Sequence, residues 1–170
     1  MSDMEHKNDA GDGLSHIDAS GNAQMVDVGA KDVTGRVAIA GCEIHMGQST
    51  LDLIRSGGFE KGDVLAVARV AGVMAGKRTS DLIPLCHSLS VDQIAIEFED
   101  LVNGIGLGIR TTVKTTGKTG VEMEALTATS VAALTVYDMC KALSHGIEVR
   151  DVRLVSKTGG KRDFGESTQP

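Results

Sequence analysis

The chain has 170 residues, of which 41% are hydrophobic and 24% charged, an ordinary balance for one soluble globular domain. Its formal net charge of −6 argues against nucleic acid and membrane surfaces as partners, because both are anionic, and three Phe, one Tyr and no Trp offer few rings on which bases could stack. Three widely spaced cysteines without a CxxC motif favour the reducing cytoplasm, and no apolar run approaches the roughly 20 residues of a membrane span.

The first third of the chain predicts a tail, a strand and a short helix. Residues 1–13, "MSDMEHKNDAGDG", are polar and acidic, which is typical of a disordered tail. The segment "RVAIAGCEIHM", which begins at Arg36, mixes apolar with small and polar residues as a strand does. The segment "STLDLIRSGG" predicts a short helix that is capped by Ser49 or Thr50 and stopped by its two glycines.

A long helix is predicted next, in "KGDVLAVARVAGVMAGKRTSD". Asp63 is the predicted N-cap, and apolar residues recur at helical spacing after it. Gly72 and Gly76 each destabilise a helix by roughly 1 kcal/mol relative to Ala. We therefore expect another backbone to approach so closely there that it leaves no room for a Cβ. Pro84 prevents the helix from continuing through "LIPLCH".

The second half predicts a hairpin, a second long helix and a last strand. "VDQIAIEFED" and "GIGLGIRTTVK" alternate around an Asn103-Gly104 turn, and "VEMEALTATSVAALTVYDMCKALS" has the length of about six helical turns. "IEVRDVRLVSKTGG" supplies the final strand. With the short helix set aside, the order is strand, helix, strand, strand, helix, strand, which predicts a single α+β domain over residues 14–170, with a ferredoxin-like antiparallel sheet and its helices on one face.

The adjacent residues Cys86 and His87 allow several interpretations. A catalytic pair is disfavoured, because neighbouring side chains on an extended segment diverge. A zinc site with Cys42 and His45 lacks the paired short spacings of structural sites. A small buried thiol and a histidine in a turn or at a ligand pocket both remain open.

Two glycine-rich turns, "TTGKTG" and "KTGGK", invite comparison with a phosphate-binding P-loop. The first glycine of that motif would fall on Thr112, and in the second turn Arg162 stands where Ser or Thr is required. A P-loop nucleotide phosphohydrolase is therefore disfavoured. Turns of this kind can still hold a phosphate through exposed amides and lysines.

Two pairs of charged residues lie in the second long helix. Glu122 and Glu124 cannot clamp one metal from a helix, since residues two apart point about 200° apart, and such carboxylates are favoured near a helix N-terminus in any case. Asp138 and Lys141 are three apart and share a face, which by itself predicts only a surface ion pair.

Four stretches of the chain resemble the cyclic pyranopterin monophosphate synthase family, also known as the molybdenum cofactor biosynthesis protein C family. They are "QMVDVGAK", "KGDVLAVARVAGVMAGKRTSDLIPLCH", "KTGVEMEALTATSVAALTVYDMCKA" and "VRLVSKTGGKRDF", within a resemblance that covers roughly residues 14–164. The chain departs from the family pattern in the closing turn "GGKRDF", at Ser88, where members often have Pro, and at Gln24, where His is more usual.

The resemblance implies an activity and an assembly. The activity is the conversion of 3′,8-cyclo-7,8-dihydro-GTP into cyclic pyranopterin monophosphate with release of diphosphate, which makes the chain a lyase. The assembly is a hexamer, a trimer of dimers, with the active site shared between subunits. No cofactor is expected, although a divalent metal such as Mg²⁺ on the diphosphate fits the chemistry.

The resemblance also implies the site residues. The catalytic acid/base pair is Asp138 and Lys141. The residues around the pterin ring are Leu85, Cys86, His87, Met123 and Glu124, with Glu122 in support, and the cations around the triphosphate are Arg36, Lys61, Lys77 and Lys157. Proton transfers in the ring rearrangement would suit a lysine whose pKa is lowered beside a carboxylate. The alternative is a non-catalytic ferredoxin-like module that binds a small molecule, in which Asp138 and Lys141 are an ordinary ion pair.

Overall fold

A computed structural model gives the structure of residues 20–60, 62–102 and 104–165. Three predicted features lie outside these ranges: the tail at residues 1–13, the cation Lys61 and the first residue of the Asn103-Gly104 turn. The predicted domain, residues 14–170, also extends beyond them, so its boundaries stay a prediction.

Four strands form one antiparallel sheet. They are β1 (Thr34–His45), β2 (Gln93–Asp100), β3 (Gly106–Gly117) and β4 (Glu148–Thr158), in the spatial order β2-β3-β1-β4. Along β1, Ala38, Ala40, Cys42 and Ile44 are buried at every second position, because successive side chains of a strand point to opposite faces. The predicted hairpin is confirmed, since all of β2 pairs antiparallel with β3, from Gln93 opposite Lys114 to Asp100 opposite Leu107.

The helices cover one face of this sheet. They are α1 (Gln48–Ser56), α2 (Val64–Lys77), α3 (Thr79–Leu82) and α4 (Glu122–Cys140). The long helices α2 and α4 pack against each other and share a core with the buried face of the sheet. The ferredoxin-like α+β prediction is confirmed. Within the described ranges, none of these helices combines the length and the apolar character that crossing a membrane requires.

One predicted helix cap is confirmed and one is wrong. The Asp63 carboxylate accepts a hydrogen bond from the Ala66 N–H at 2.9 Å and caps α2 as predicted. The predicted cap of α1 at Ser49 or Thr50 is wrong, because the chain leaves β1 and turns into the helix directly after Gly47. Both residues are therefore already inside the helix, and Thr50 is buried against the core.

Small residues let α2 and α4 approach closely. Ala128, Ala132 and Ala133 of α4 are fully buried, as the scarcity of aromatic residues requires. A Cβ added at Gly72 would lie 2.8 Å from the Ala128 carbonyl oxygen and 2.5 Å from Ile96 Cδ1. The predicted close approach of another backbone is thus confirmed.

Gly72→Ala is expected to lower the free energy of unfolding by about 1–3 kcal/mol, the usual cost of overpacking a core, even though Ala is the better helix former. Gly76→Ala is the matched control, because a Cβ there would meet the mobile end of Ile94 at 2.7 Å but backbone only at 3.5 Å. We expect it to cost less than Gly72→Ala in urea denaturation. Equal stabilities of Gly72→Ala and the wild type would contradict the helix contact.

Candidate active site

A basic cavity of about 550 Å³ lies between the start of α4 and the turn after β4. Five cationic residues line it, Lys31, Arg36, Lys157, Lys161 and Arg162, together with one carboxylate, Glu122. The volume is within the range of small-molecule sites. In a chain that is acidic overall, this excess of cations gives the cavity a local positive charge that favours anions.

Hydrogen bonds fix two of these side chains. The Arg36 guanidinium donates from Nε to the Gly117 carbonyl and from Nη2 to the Lys118 carbonyl, both at 3.0 Å. Lys157 Nζ donates to Glu122 Oε1 at 2.9 Å, which links β4 to the first turn of α4. A Cβ at Gly120 would overlap the Glu122 carboxylate, so the glycine leaves room for this ion pair.

The other acidic residue of the first turn, Glu124, is buried beneath the loop of residues 83–92. Glu124 is only 3% exposed. The Cys86 thiol has a single proton, and its sulfur lies 3.7 Å from Glu124 Oε1 and 3.8 Å from the His87 carbonyl oxygen, so it can donate to either acceptor. Desolvation raises the pKa of Glu124, and the neighbouring Glu122 carboxylate raises it further. Burial, with Glu124 adding to it, raises the pKa of Cys86 to about 11.

His87 belongs to the same loop and fastens the segment before β1. Its Nε2 donates to the Val26 carbonyl at 2.8 Å, so Nε2 carries the proton, since a carbonyl can only accept. Lys118 Nζ donates to the Gly29 carbonyl of the same segment at 2.5 Å. This segment carries Lys31 to the wall of the basic cavity.

Asp138 and Lys141 form an exposed ion pair at the opposite end of α4. Lys141 Nζ lies 2.6 Å from Asp138 Oδ1, and the two side chains are 48% and 64% exposed. The hydrogen bond from Lys141 to the Asp138 carboxylate raises the lysine pKa, so the expectation of a lowered pKa is wrong for this subunit by itself. A lowered value would require burial, which this exposed position does not provide.

Comparison with known proteins identifies the family. The family model described as the MoaC family matches residues 25–160. This chain belongs to the MoaC family.

The chain is 57% identical over 150 residues to a protein of Chloroflexus aggregans named cyclic pyranopterin monophosphate synthase. That alignment covers 88% of this chain and 91% of that protein. A protein of the same name from Rhodospirillum rubrum is 55% identical over 150 residues, covering 88% and 90% of the two chains. Another from Novosphingobium aromaticivorans is 57% identical over 148 residues, covering 87% and 93%.

The predicted site residues fall into two groups in the structure. Most lie around the start of α4: Arg36, Glu122 and Lys157 line the cavity, Leu85, Cys86 and His87 are in the adjoining loop, and Met123 and Glu124 are in the first turn. Lys77 ends α2 at the same end, since the Gly76 position lies beside the Glu124 carbonyl. Asp138 and Lys141 form the second group, and Lys61 lies outside the described residues.

The structure does not fit Cys86 and His87 as ligands of a zinc site or as a catalytic nucleophile and its base. Cys42 faces the core, whereas His45 bonds Glu43 on the other face of β1 at 2.7 Å. Within the described ranges, no three His, Cys, Asp or Glu side chains are grouped to hold a metal. Burial keeps the Cys86 thiol protonated, so it is a poor nucleophile.

Three cations of the cavity were not assigned a role by the resemblance: Lys31, Lys161 and Arg162. The glycine-rich turn after β4 was the signal for two of them, since such a turn can hold a phosphate. Lys31 had no comparable local signal, because it reaches the cavity through contacts of its segment with His87 and Lys118.

Gly120→Ala is expected to lower activity with little effect on stability. The new methyl group would displace only the flexible end of Glu122, so we expect the free energy of unfolding to change by less than about 0.5 kcal/mol. The displaced carboxylate can no longer pair with Lys157 as it does now. Steady-state kinetics and urea denaturation test both parts, with Gly35→Ala as control, since a Cβ there would have nothing within 4 Å. Unchanged kinetics would show that the Glu122–Lys157 pair is dispensable.

Proposed function

We propose that this chain is a cyclic pyranopterin monophosphate synthase, a lyase that converts 3′,8-cyclo-7,8-dihydro-GTP into cyclic pyranopterin monophosphate and diphosphate. The observation that carries the proposal is the cation-lined cavity at the start of α4, in a chain 57% identical to a protein of that name. A nucleoside triphosphate derivative brings about four negative charges, which a chain of net charge −6 can accept only where cations are concentrated.

The triphosphate is assigned to the basic cavity and the ring to the adjoining loop. Arg36 and Lys157 hold phosphate oxygens, joined by the three further cations of the wall. Lys61 and Lys77 are assigned to the triphosphate on the family resemblance alone, since neither is among the cavity residues. Cyclisation requires attack of a ribose oxygen on the α-phosphate with diphosphate leaving, a step that depends mainly on positioning and charge stabilisation. The ring-binding residues are Leu85, Cys86, His87, Met123 and Glu124, with Glu122 supporting them through Lys157.

Asp138 and Lys141 are assigned to the proton transfers of the ring rearrangement. Their contact of 2.6 Å places an acceptor and a donor side by side. Both side chains project from the end of α4 into solvent, where a ligand can reach them.

One subunit cannot bring its own Glu124 and Asp138 to one ring. They are 14 residues apart in the single helix α4, which is about 21 Å along its axis. We therefore place the active site between two subunits related by a two-fold axis, so that the start of one α4 meets the end of its partner's.

The outer surface of the helix layer supports this pairing. Between Glu124 and Asp138, α4 has no charged residue, and its exposed Leu134 lies on the same layer as the exposed Val67, Val70 and Met74 of α2. A helix that is hydrophobic all round is normally buried on every side, and between these two residues α4 has only apolar residues, Ser, Thr and one Tyr. Burying this surface against a second copy gives the dimer, and three such dimers give the proposed hexamer.

The remaining assignments follow from the chemistry. We propose that the site needs no resident cofactor and that a divalent cation such as Mg²⁺ would enter on the phosphate oxygens of the substrate. Assays with added Mg²⁺ and with a chelator test this assignment. The three free thiols fit the cytoplasm as the compartment.

A turnover assay tests the function directly. Purified protein is incubated with the cyclised GTP intermediate, and diphosphate and the pterin product are measured together. We expect both to form in equal amounts. Tight binding without either product would favour the alternative, a non-catalytic module that holds the same anion.

A further inference from the structure

Two carboxylates of the first turn of α4 have opposite surroundings. Glu122 is paired with Lys157 in the basic cavity, whereas Glu124 is 3% exposed and is contacted by a thiol. Glu124 Oε2 finds no hydrogen-bond partner among the described residues. A buried polar atom without a partner costs free energy, so a ligand or a neighbouring subunit that supplies a hydrogen-bond partner for this oxygen is stabilised here.

Glu124 has few donors for a buried charge. Within the described subunit they are its own backbone N–H and the Cys86 thiol, whose sulfur lies 3.7 Å from Oε1, whereas an isolated buried carboxylate needs several donors or a cation. The N-terminal turn of a helix does favour negative charge, but Glu122 already supplies it there. Active sites often contain two carboxyl groups whose surroundings give them different pKa values, so that one is ionised while the other is protonated.

We propose that Glu124 meets the substrate ring as a neutral carboxylic acid whose Oε2–H donates a hydrogen bond to it, and that the Cys86 thiol is the positioning residue that holds Oε1. The identity of the ligand in this inference rests on the proposed function. A guanine-derived ring presents both donors and acceptors, and its carbonyl oxygen and unprotonated ring nitrogens are the acceptors that an O–H donor would meet. The thiol acts through Glu124 and fixes the direction in which Oε2 points.

The protonation state can be tested without substrate. The infrared difference spectrum between the wild type and Glu124→Gln at neutral pH should contain the C=O stretch of a protonated carboxylic acid. The same difference for Glu122→Gln should lack it, because Glu122 is ion-paired with Lys157. A carboxylate band in place of the acid band for Glu124 would overturn the proposal, whether or not the proposed reaction is confirmed.

The donor role is tested by the neutral isostere. Glu124→Gln keeps an N–H donor at the position of Oε2, so we expect its KM to stay within about threefold of the wild type. Glu124→Ala should raise KM by tenfold or more, since the hydrogen bond is lost. If Gln is as damaging as Ala, Glu124 acts as an ionised acceptor and the proposal fails.

The positioning role of Cys86 is tested by its own substitutions. Cys86→Ala should raise KM by about fivefold to tenfold with kcat less affected, because Oε1 loses its donor. Cys86→Ser retains a donor and should restore KM to within about twofold of the wild type. Ser88→Ala, on the exposed part of the same loop, is the matched control and should match the wild type. Equal KM values for Cys86→Ala and the wild type, or failure of Ser to rescue, would overturn this role. If the wild type itself gives no product, the proposed function fails, while the infrared experiment still decides the state of Glu124.

Discussion

Lys141→Ala is expected to lower kcat by about 10²–10⁴-fold, the usual contribution of a positioned acid or base. Asp138→Ala should have a similar effect, because the two side chains form one unit with a contact of 2.6 Å. The fold should be unaffected, since both side chains project from the end of α4 and an exposed ion pair contributes less than about 1 kcal/mol. Steady-state kinetics and urea denaturation of each variant measure the two effects separately.

The chain contains a matched control for this experiment. Arg55 and Asp100 also form an ion pair at 2.6 Å, with side chains 47% and 61% exposed, against 48% and 64% for Lys141 and Asp138. Arg55→Ala should therefore change stability as little as Lys141→Ala does, and should leave kcat unchanged. Near-normal kcat in Lys141→Ala would show that the acid/base assignment is wrong.

The protonation of Lys141 bears on which role it can take. The Asp138 carboxylate raises the lysine pKa, so at neutral pH the isolated subunit presents a protonated donor beside an ionised acceptor. In this state Lys141 can give a proton or stabilise negative charge, and Asp138 can accept a proton. Burial against a second subunit and a ligand would act in the opposite direction on the lysine, because desolvation disfavours its charged form.

The fold could be predicted from local patterns because each element carries its own signal. Period-two alternation identified β1, β2 and β3, and a side-chain cap at Asp63 identified the start of α2. The cap of α1 was missed because the tight connection from β1 places Thr50 inside the helix, a consequence of how two elements meet. The helix propensities of single residues do not encode where a neighbouring strand ends.

The site was predictable in its residue types but not in its contacts. The glycines of the turn with Lys161 and Arg162 predicted that it can hold a phosphate, and both residues line the basic cavity. The burial of Glu124 beneath Cys86, 38 positions away, and the bond from His87 to Val26, 61 positions away, depend on long-range packing. Local sequence around Glu124 predicted an ordinary first-turn carboxylate, which its surroundings contradict.

The proposed sharing of the active site between two subunits makes a prediction that no single-subunit site can meet. Glu124→Ala removes the carboxyl group at the start of α4, and Lys141→Ala removes the ammonium group at its end. At substrate concentrations well below KM, Glu124→Ala alone should retain about a tenth of wild-type activity or less, and Lys141→Ala about a hundredth or less. In a dimer of one subunit of each kind, one of the two sites combines the intact Glu124 with the intact Lys141 of the partner.

Mixing the two variants in equal amounts under subunit exchange should therefore recover about a quarter of wild-type activity, since half of the dimers are mixed and each has one intact site. The double variant Glu124→Ala/Lys141→Ala is the matched control. The double variant is mixed one to one with wild type. If sites are shared, each site of a mixed dimer contains one defect, and about a quarter of the activity should remain. If each subunit holds its own site, about a half should remain. Exchange is followed by mass spectrometry of subunits with different isotope labels. Complete exchange with no recovery in the first mixture and half of the activity in the second would place the whole site within one subunit. Glu124 and Lys141 could then not serve the same ring, because 17 residues separate them, about 25 Å along the axis of α4.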